Sequence, residues 1–298
     1  MANVEHLTKL KQGSKSWQKW RLGNSNVELD FQEANLSGLD MQFASLTQAN
    51  LVKADLSNAE LIAADLAGAN LEQAYLIDAD LSETNLSNSI LYRAYLIDAD
   101  LNNANLIGAD LREANCRRTN FSGANLIGTS MRKANLSRAN LIGANLHRTN
   151  LSEADLKEAH GNEADFSQGN LYETELLGFF GYKANFYRVK AIHSHFCKAY
   201  LCRANFSEAQ LKQADLRWVN LDGANLSYCN LQQAKLRGTN FTNADLKGAN
   251  LTGANLRGAN LTKADLRGAN LTSAKIEDAI FHRARLQGTI MPDSSVHY

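Results

Sequence analysis

The chain of 298 residues contains one proline, four cysteines and no long apolar run. Because an even composition and scarce proline leave no sign of a linker, we expect one continuous architecture. No segment approaches the roughly eighteen apolar residues of a membrane span, and the N-terminus has no apolar core of signal-peptide length. Cys116, Cys197, Cys202 and Cys229 form no CxxC pair and are predicted to be reduced thiols. These absences predict a cytoplasmic protein without membrane contact.

Catalytic and cofactor-binding motifs are missing as well. There is no HExxH, no P-loop, no GxGxxG between a strand and a helix, and no GxSxG. The segment HSHFCKAYLC holds zinc-capable ligands in His193, His195, Cys197 and Cys202, but without a standard ligand spacing we interpret them as exposed side chains. The sequence therefore predicts a protein that is not an enzyme and has no cofactor and no metal.

What the sequence has in abundance is a step of five residues. Written in fives from Phe31 (FQEAN, LSGLD, MQFAS), it stays in frame to Met291 without an insertion. Of the 53 leading positions, 50 are Leu, Phe, Met, Ile or Cys, and the exceptions are Gly161, Gly181 and Ala191. Two residues before the leading position, 37 of 52 residues are Ala. Most five-residue units thus pair one large apolar side chain with one small side chain.

This step excludes both regular secondary structures. On an α-helix successive leading residues would lie about 140° apart, and on a flat strand they would alternate between faces. A chain that bends after every five residues can point each leading residue inward, and four sides then make a coil of twenty. AYLIDADL at 74–81 recurs at 94–101, as that coil length requires. We expect roughly 13 coils from Phe31 to Ser294, stacked over roughly 60 Å at ordinary strand spacing.

The five-residue units ADLSN, ANLIG, ANLTG and ADLRG fit A(N/D)LXX, so the chain resembles the pentapeptide repeat family over about nine-tenths of its length. The resemblance implies an all-β solenoid, namely a right-handed quadrilateral parallel β-helix. The lead-in KQGSKSWQKWR resembles that of cyanobacterial members. The family motif predicts the fold and says little about function.

The N-terminal segment has a different pattern. Apolar residues recur among Lys and Arg at spacings of three and four, although Gly13 interrupts them. They are Val4, Leu7, Leu10, Trp17, Trp20 and Leu22. We predict one broken or two short amphipathic helices that cover the first coil, with a membrane or partner helix as the alternative. The predicted domains are a helical cap at 1–30, the β-helix at 31–294 and a tail at 295–298.

The repeat loosens between residues 160 and 200 while staying in frame. Gly161 and Gly181 replace leucines, and Phe179 occupies a position that is small elsewhere. Two interpretations stay open. Large-for-small compensation would keep the packing density. Alternatively, a pocket or a protruding loop around GFFGYKANF would form a binding site.

The net charge is zero, but acidic and basic residues are distributed unevenly along the chain. Residues 31–110 contain 12 acidic and 2 basic residues, whereas residues 111–298 contain 24 basic and 16 acidic residues. The acidic part includes a candidate partner-binding set, which we call the acidic tyrosine surface. Its residues are Tyr75, Tyr95, Ile77, Ile97, Asp78, Asp98, Asp80 and Asp100, with Glu60 nearby. A solvated surface face is one interpretation of this set, and exposed Tyr and Ile among acids shift the interpretation toward partner binding.

The basic part carries a ladder of Arg217, Arg237 and Arg257 at the twenty-residue step. A solvated surface is one interpretation and nucleic-acid binding another, but the sixteen acidic residues of the same region argue against nucleic acid. Some members of the resembled family mimic duplex DNA and protect type II topoisomerases. Such mimicry requires acidity along most of the chain, which the basic C-terminal part does not supply.

We therefore predict a non-enzymatic interaction or scaffold protein for an unidentified protein partner, with a topoisomerase-protecting DNA mimic and a nucleic-acid binder as alternatives. The C-terminal end has only the short PDSSVHY tail to cover it. Its apolar residues are Ile280, Phe281, Ile290 and Met291. We predict end-to-end homodimerisation through this last coil, because pairing would satisfy its exposed edge.

Overall fold

The computed structural model describes residues 2–298 in two compact units, the first ending at Asn150 and the second comprising Leu151–Tyr298. Unit 1 begins with helices α1, Val4–Leu10, and α2, Ser14–Gly23. Unit 2 ends with two short strands, β1, Thr289–Ile290, and β2, Val296–His297. Between these elements, each unit consists of five-residue sides joined by turns.

Residues twenty apart pair as parallel bridges within each unit. Tyr75 pairs with Tyr95 in unit 1, and Asp155 pairs with Glu175 in unit 2. The Phe31 N–H donates to the Asn50 carbonyl at 2.8 Å, and the Asn50 N–H donates back to the Leu29 carbonyl at 2.8 Å. The coil of twenty residues predicted from the repeated AYLIDADL is therefore present in both units.

A tight turn follows each leading residue. The Ala34 N–H donates to the Phe31 carbonyl at 3.0 Å across Glu33, whose φ is 58°. A positive φ at this position is what a type II turn requires. Glu33 also donates its N–H to the Val52 carbonyl of the next coil at 2.9 Å. Bonds between stacked coils thus hold non-glycine residues in a conformation that they otherwise avoid.

The core of each unit is formed by the leading residues and the small residues before them. Leu226 and Ala224 illustrate the pattern, since both are buried. Where Thr replaces Ala, the hydroxyl finds a carbonyl: Thr239 Oγ1 donates to the Leu216 oxygen at 2.7 Å. Among residues 2–298, no buried side-chain nitrogen or oxygen lacks a hydrogen-bond partner. This is expected, because a buried polar group without a hydrogen bond destabilises the folded state.

The segment from 160 to 200 keeps its bridges, as His160 pairs with Phe180 and Asn185 with Asn205. Phe179 points into the core and fills the space that leucines occupy elsewhere. A Cβ on Gly161 would lie 2.4 Å from Phe179 Cζ, and one on Gly181 would lie 2.7 Å from Phe179 Cε1. Compensation of large for small side chains therefore explains this part of the sequence.

The N-terminal helices pack against the first coil. Trp17 is buried with its ring centroid 5.9 Å from that of Phe31, and its Nε1 donates to the Ser45 carbonyl at 3.1 Å. The predicted apolar stripe is wrong in part, because Val4 and Leu22 are exposed. Two other residues take the buried places, namely His6 and Arg21.

The C-terminal tail folds back on unit 2. β1 and β2 pair antiparallel, with Thr289 opposite His297 and Ile290 opposite Val296. The Met291 N–H donates to the Ser295 carbonyl at 2.7 Å. The tail therefore covers the part of the last coil that precedes it.

In residues 2–298, neither helix has the length and the apolar character that crossing a membrane takes.

Candidate partner-binding surfaces

The acidic tyrosine surface is built around two stacked rings. Tyr75 and Tyr95 occupy the outward position before a buried leucine, where the repeat usually has Asn or Asp. Their ring centroids are 5.0 Å apart with planes 5° from parallel, and their exposures are 43% and 39%. Ile77 and Ile97 follow on the same side of the coil and are half-buried. The rings and the two isoleucines form one exposed apolar strip.

Carboxylates border this strip. Asp80 pairs with Asp100 along the next wall, and Glu60 precedes Asp80 in the same column. Asp80 Oδ1 accepts from Ser82 Oγ at 2.6 Å, and Asp100 Oδ1 accepts from Asn120 Nδ2 at 2.9 Å. In the described residues neither Asp80 nor Asp100 has a cationic partner. No cationic side chain therefore competes with a partner for these two carboxylates.

Asp98 differs from the other acids of this surface. It forms an ion pair with Arg118, one coil further on. Hydrogen bonds from Arg118 hold the pKa of Asp98 below its ordinary value. Asp98 is therefore neutralised within the chain, whereas Asp78 is exposed at the corresponding corner. The twenty-residue step from Asp98 to Arg118 was the available signal.

The arginines of the basic ladder in unit 2 differ in their ion-pair partners. Arg217 Nη2 lies 2.6 Å from Asp215 Oδ2, and Arg257 Nε and Nη2 each lie 3.0 Å from Glu277. Burial favours the neutral carboxyl of Asp215, but the hydrogen bonds from Arg217 outweigh it and keep the pKa of Asp215 low. Arg257 lowers the pKa of Glu277 to about 2. These two arginines are largely neutralised.

The candidate irregular site lies in the core. Gly161, Phe179 and Gly181 are all buried, so they cannot form a binding surface themselves. The exposed feature of this segment is a column of stacked rings that the sequence analysis missed. His160 and Phe180 stack at 4.7 Å, and Phe180 and Tyr200 stack at 5.1 Å. The twenty-residue spacing of the three residues was the signal for it.

The predicted self-association residues are only partly exposed. Ile280 is 51% exposed, and Phe281, Ile290 and Met291 are half-buried. The β1–β2 pair engages Ile290, so the tail protects part of the predicted surface. In the described residues, the Ile276 and Phe281 N–H groups donate no bond to a following coil. The remaining edge of the last coil is therefore open.

The two histidines of HSHFCKAYLC contact different residues. His195 Nδ1 lies 2.7 Å from Glu175 Oε1, and the His193 ring meets the edge of Tyr172. Within residues 2–298, no three His, Cys, Asp or Glu side chains are grouped as metal ligands. All four cysteines are free thiols, and burial raises the pKa of Cys116 and Cys229.

Stacked twenty-residue coils with an inward Leu and Ala at each side define a β-helical solenoid. The family model of pentapeptide repeats matches the chain in overlapping segments, from 27–61 to 139–176 and from 184–223 to 249–288. The chain therefore belongs to the pentapeptide repeat family, which folds as right-handed quadrilateral β-helices. Members of this family are generally non-enzymatic structural or interaction proteins.

Several solved structures are similar to the chain. HetL, a pentapeptide repeat protein involved in heterocyst differentiation regulation from the cyanobacterium Nostoc sp. strain PCC 7120, is 32% identical over 94% of this chain and 98% of its own, with a TM-score of 0.42. Rfr23 from the cyanobacterium Cyanothece 51142 is 38% identical over 32% and 59%, with a TM-score of 0.17. Full-length QnrB1, a plasmid-mediated fluoroquinolone resistance protein, is 18% identical over 63% and 84%, with a TM-score of 0.21. No curated protein sequence gives a significant match.

Proposed function

We propose that this protein is a non-enzymatic scaffold whose acidic tyrosine surface docks a basic protein partner. The observation that carries the proposal is the stacked, exposed pair of Tyr75 and Tyr95, followed on the next wall by the carboxylates of Asp80 and Asp100, which have no cationic partner in the described residues. Aromatic side chains supply much of the energy at protein interfaces, and surrounding charges accelerate and orient the encounter. The acidic tyrosine surface offers both kinds of group on neighbouring walls of the same coils.

The geometry favours a partner with cations around an apolar or aromatic group. The two parallel rings stack on each other, while Ile77 and Ile97 extend the apolar strip. Asp78 at the corner brings a further negative charge toward the strip. An arginine of the partner could pair with a carboxylate while its flat guanidinium packs on a ring, which lysine does less well.

Affinity capture from the native host, followed by binding measurements on the purified pair, tests this proposal. Replacing Tyr75 and Tyr95 together by Ser should remove the partner without unfolding the protein, since both side chains point outward. The matched control is Tyr228→Ser, because Tyr228 is an exposed tyrosine in unit 2. Wild-type affinity in the double variant would exclude this surface, and loss of binding in the control would show that the effect is not local.

We propose further that α1 and α2 cap the first coil. The contact of Trp17 with Phe31 and the bond from the Asn3 N–H to the Asp30 carbonyl, at 2.9 Å, support this role. The count of roughly 13 coils stays a prediction from the sequence. A cytoplasmic location is also a proposal, and the four free thiols support it, since reducing compartments keep cysteines unpaired.

A further inference from the structure

The three arginines of the basic ladder occupy the same place in successive coils, which allows their partners to be compared. Arg217 is held by Asp215, two residues before it in the chain. Arg257 is held by Glu277, twenty residues after it. Two positions of the repeat can therefore supply a carboxylate to a ladder arginine.

At Arg237 both of these positions are basic. Lys235 lies two residues before it, and Arg257 lies twenty residues after it. In the part of the chain that the structure describes, Arg237 forms no ion pair, although its side chain is exposed. Arg237 thus lacks the carboxylate partner that the two other ladder arginines have, and an anion from outside the chain would supply it.

A cleft adjoins this arginine. Trp218 lies over Gly238, where an added Cβ would be 2.3 Å from the indole Cε3 and Cζ3 atoms, so only glycine accepts the ring. The next corner residue is Gly258, which has no side chain to fill the space. The cleft has a volume of about 320 Å³ and is lined by Trp218, Arg237, Arg257, Gly258 and Asp278. Trp218 remains 55% exposed.

We propose that this Trp218–Arg237 cleft docks an acidic segment of a partner protein. One carboxylate of the segment binds the Arg237 guanidinium, and a neighbouring apolar or aromatic side chain packs against Trp218. The charge of this part of the chain is complementary, because residues 231–298 contain nine Lys or Arg and five Asp or Glu. The site lies in unit 2 and does not depend on the acidic tyrosine surface.

Two observations favour a carboxylate over a phosphate. The other two ladder arginines are engaged by carboxylates, which shows that a guanidinium in this column accepts that geometry. The negatively charged residue Asp278 also lines the cleft. A phosphate bears up to two negative charges and is repelled by this carboxylate more strongly than a single carboxylate is.

The test uses the full chain and a fluorescently labelled synthetic peptide of glutamates flanking one tryptophan, with binding followed by anisotropy. Arg237→Gln and Trp218→Ala should each weaken binding by about tenfold or more. The matched controls are Lys247→Gln and Tyr228→Ala. Tyr228 lies over Gly248 as Trp218 lies over Gly238, but Lys247 has an acid, Asp245, two residues before it. The controls should bind the peptide like the wild type.

A second variant tests the missing carboxylate directly. Lys235→Asp places an acid where Asp215 stands relative to Arg217, so Arg237 should become paired within the chain and peptide binding should be lost. Lys235→Gln removes a charge without supplying a carboxylate, and it should weaken binding much less. Circular dichroism confirms that each variant is folded.

Four outcomes would overturn the proposal. They are the absence of peptide binding at roughly millimolar concentration, equal affinity in Arg237→Gln, equal effects of the two Lys235 variants, and displacement of the peptide by inorganic phosphate or oligothymidylate at lower concentrations than by unlabelled peptide. The last outcome would assign the cleft to phosphate-bearing ligands. Sedimentation in the absence of peptide separates a further case, since self-association that Arg237→Gln abolishes would assign the cleft to a second copy of the chain.

Discussion

Adjacent residues of the repeat differ sharply in what their side chains contribute to stability. Leu226 is fully buried, whereas Ser227 points outward and donates to Asn225 Oδ1 at 2.7 Å. Leu226→Ala should lower the free energy of unfolding by about 2–5 kcal/mol, because it leaves a cavity in a close-packed core. Ser227→Ala should change it by only about 0.5 kcal/mol. Denaturant midpoints measure the difference, and equal midpoint shifts with unchanged m-values would mean that the inward and outward positions are misassigned.

Single ion pairs on the coils make stability depend on pH. Arginine partners keep the pKa values of Asp98 and Asp265 below the ordinary value, and Arg217 does the same for Asp215 against the effect of burial. A carboxyl group with a lowered folded pKa stabilises the protein above its unfolded pKa, about 3.9, and this contribution is lost as the pH falls through the folded value. Stability should therefore fall between about pH 5 and about pH 2, as the pH passes below the unfolded pKa.

The double variant Asp98→Asn with Asp215→Asn checks this pH dependence. Two of these three carboxyl groups are removed, so the difference in unfolding free energy between the two pH values should shrink. Asp78→Asn is the matched control, because Asp78 is exposed at the same repeat position as Asp98. If the double variant keeps the full wild-type difference, these pairs do not account for the acid sensitivity.

At the scale of the structural element, the coils around Phe179 depend on one ring for two missing leucines. Phe179→Ala should cost about 3–5 kcal/mol, as a buried aromatic truncation does. Adding Gly161→Leu and Gly181→Leu to Phe179→Ala restores the regular pattern and should recover part of that loss. Gly181→Leu alone should destabilise, since Phe179 and Leu201 already occupy the space. Simple additivity of the three changes in thermal unfolding would contradict this shared packing.

The N-terminal helices offer a second contrast at this scale. Trp17→Ala should destabilise unit 1 by about 3 kcal/mol or more and favour aggregation, because it uncovers Phe31 at the edge of the first coil. Leu22→Ala should change stability by only about 0.5 kcal/mol, since Leu22 is 86% exposed. Unfolding midpoints and light scattering would measure both. An equally stable Trp17→Ala variant would argue against capping.

Sequence reasoning reached the repeat and the family because the five-residue frame is set by the core, where only a large and a small apolar residue fit. It did not predict which contacts the long side chains form. A step of twenty identifies the neighbours of Asp98 and of Trp218, but the rotamers decide that Asp98 meets Arg118 and that the Trp218 ring lies over Gly238. At the N-terminus, the pattern of apolar residues did not predict that Arg21 is buried. Its guanidinium donates hydrogen bonds to the Asn24 and Val27 carbonyls.

For the whole molecule, the open edge of the last coil bears on assembly. We propose end-to-end homodimerisation, and Ile280 is the residue to change, because it is 51% exposed while Ile290 is already paired. Ile280→Lys should reduce the mass measured by light scattering at high concentration to that of a monomer. Val296→Lys, in the exposed tail strand, is the control. A wild-type monomer at all concentrations would mean that the tail itself is the cap.

The kinetics of partner binding belong to the same scale. Neutralising Asp78 and Asp80 to Asn should slow association and reduce its salt dependence while leaving dissociation nearly unchanged, since these acids attract rather than anchor. Asp98 is unsuitable for this purpose, because removing its charge would release Arg118. Faster dissociation with unchanged association would instead make the acids part of the anchor.

The pairing of residues twenty apart also determines how this chain tolerates changes in length. Tyr75 and Tyr95 meet because the chain between them makes one full circuit. Five extra residues of repeat sequence inserted after Asn85 would keep every leucine inward, yet each later column would move to the neighbouring wall. Tyr95 would then lie around a corner from Tyr75, although no residue has been replaced. An insertion of twenty residues would return the later columns to their walls but place a whole coil between the rings. Two insertions that leave the core intact can thus divide the acidic tyrosine surface, one by rotation and one by distance.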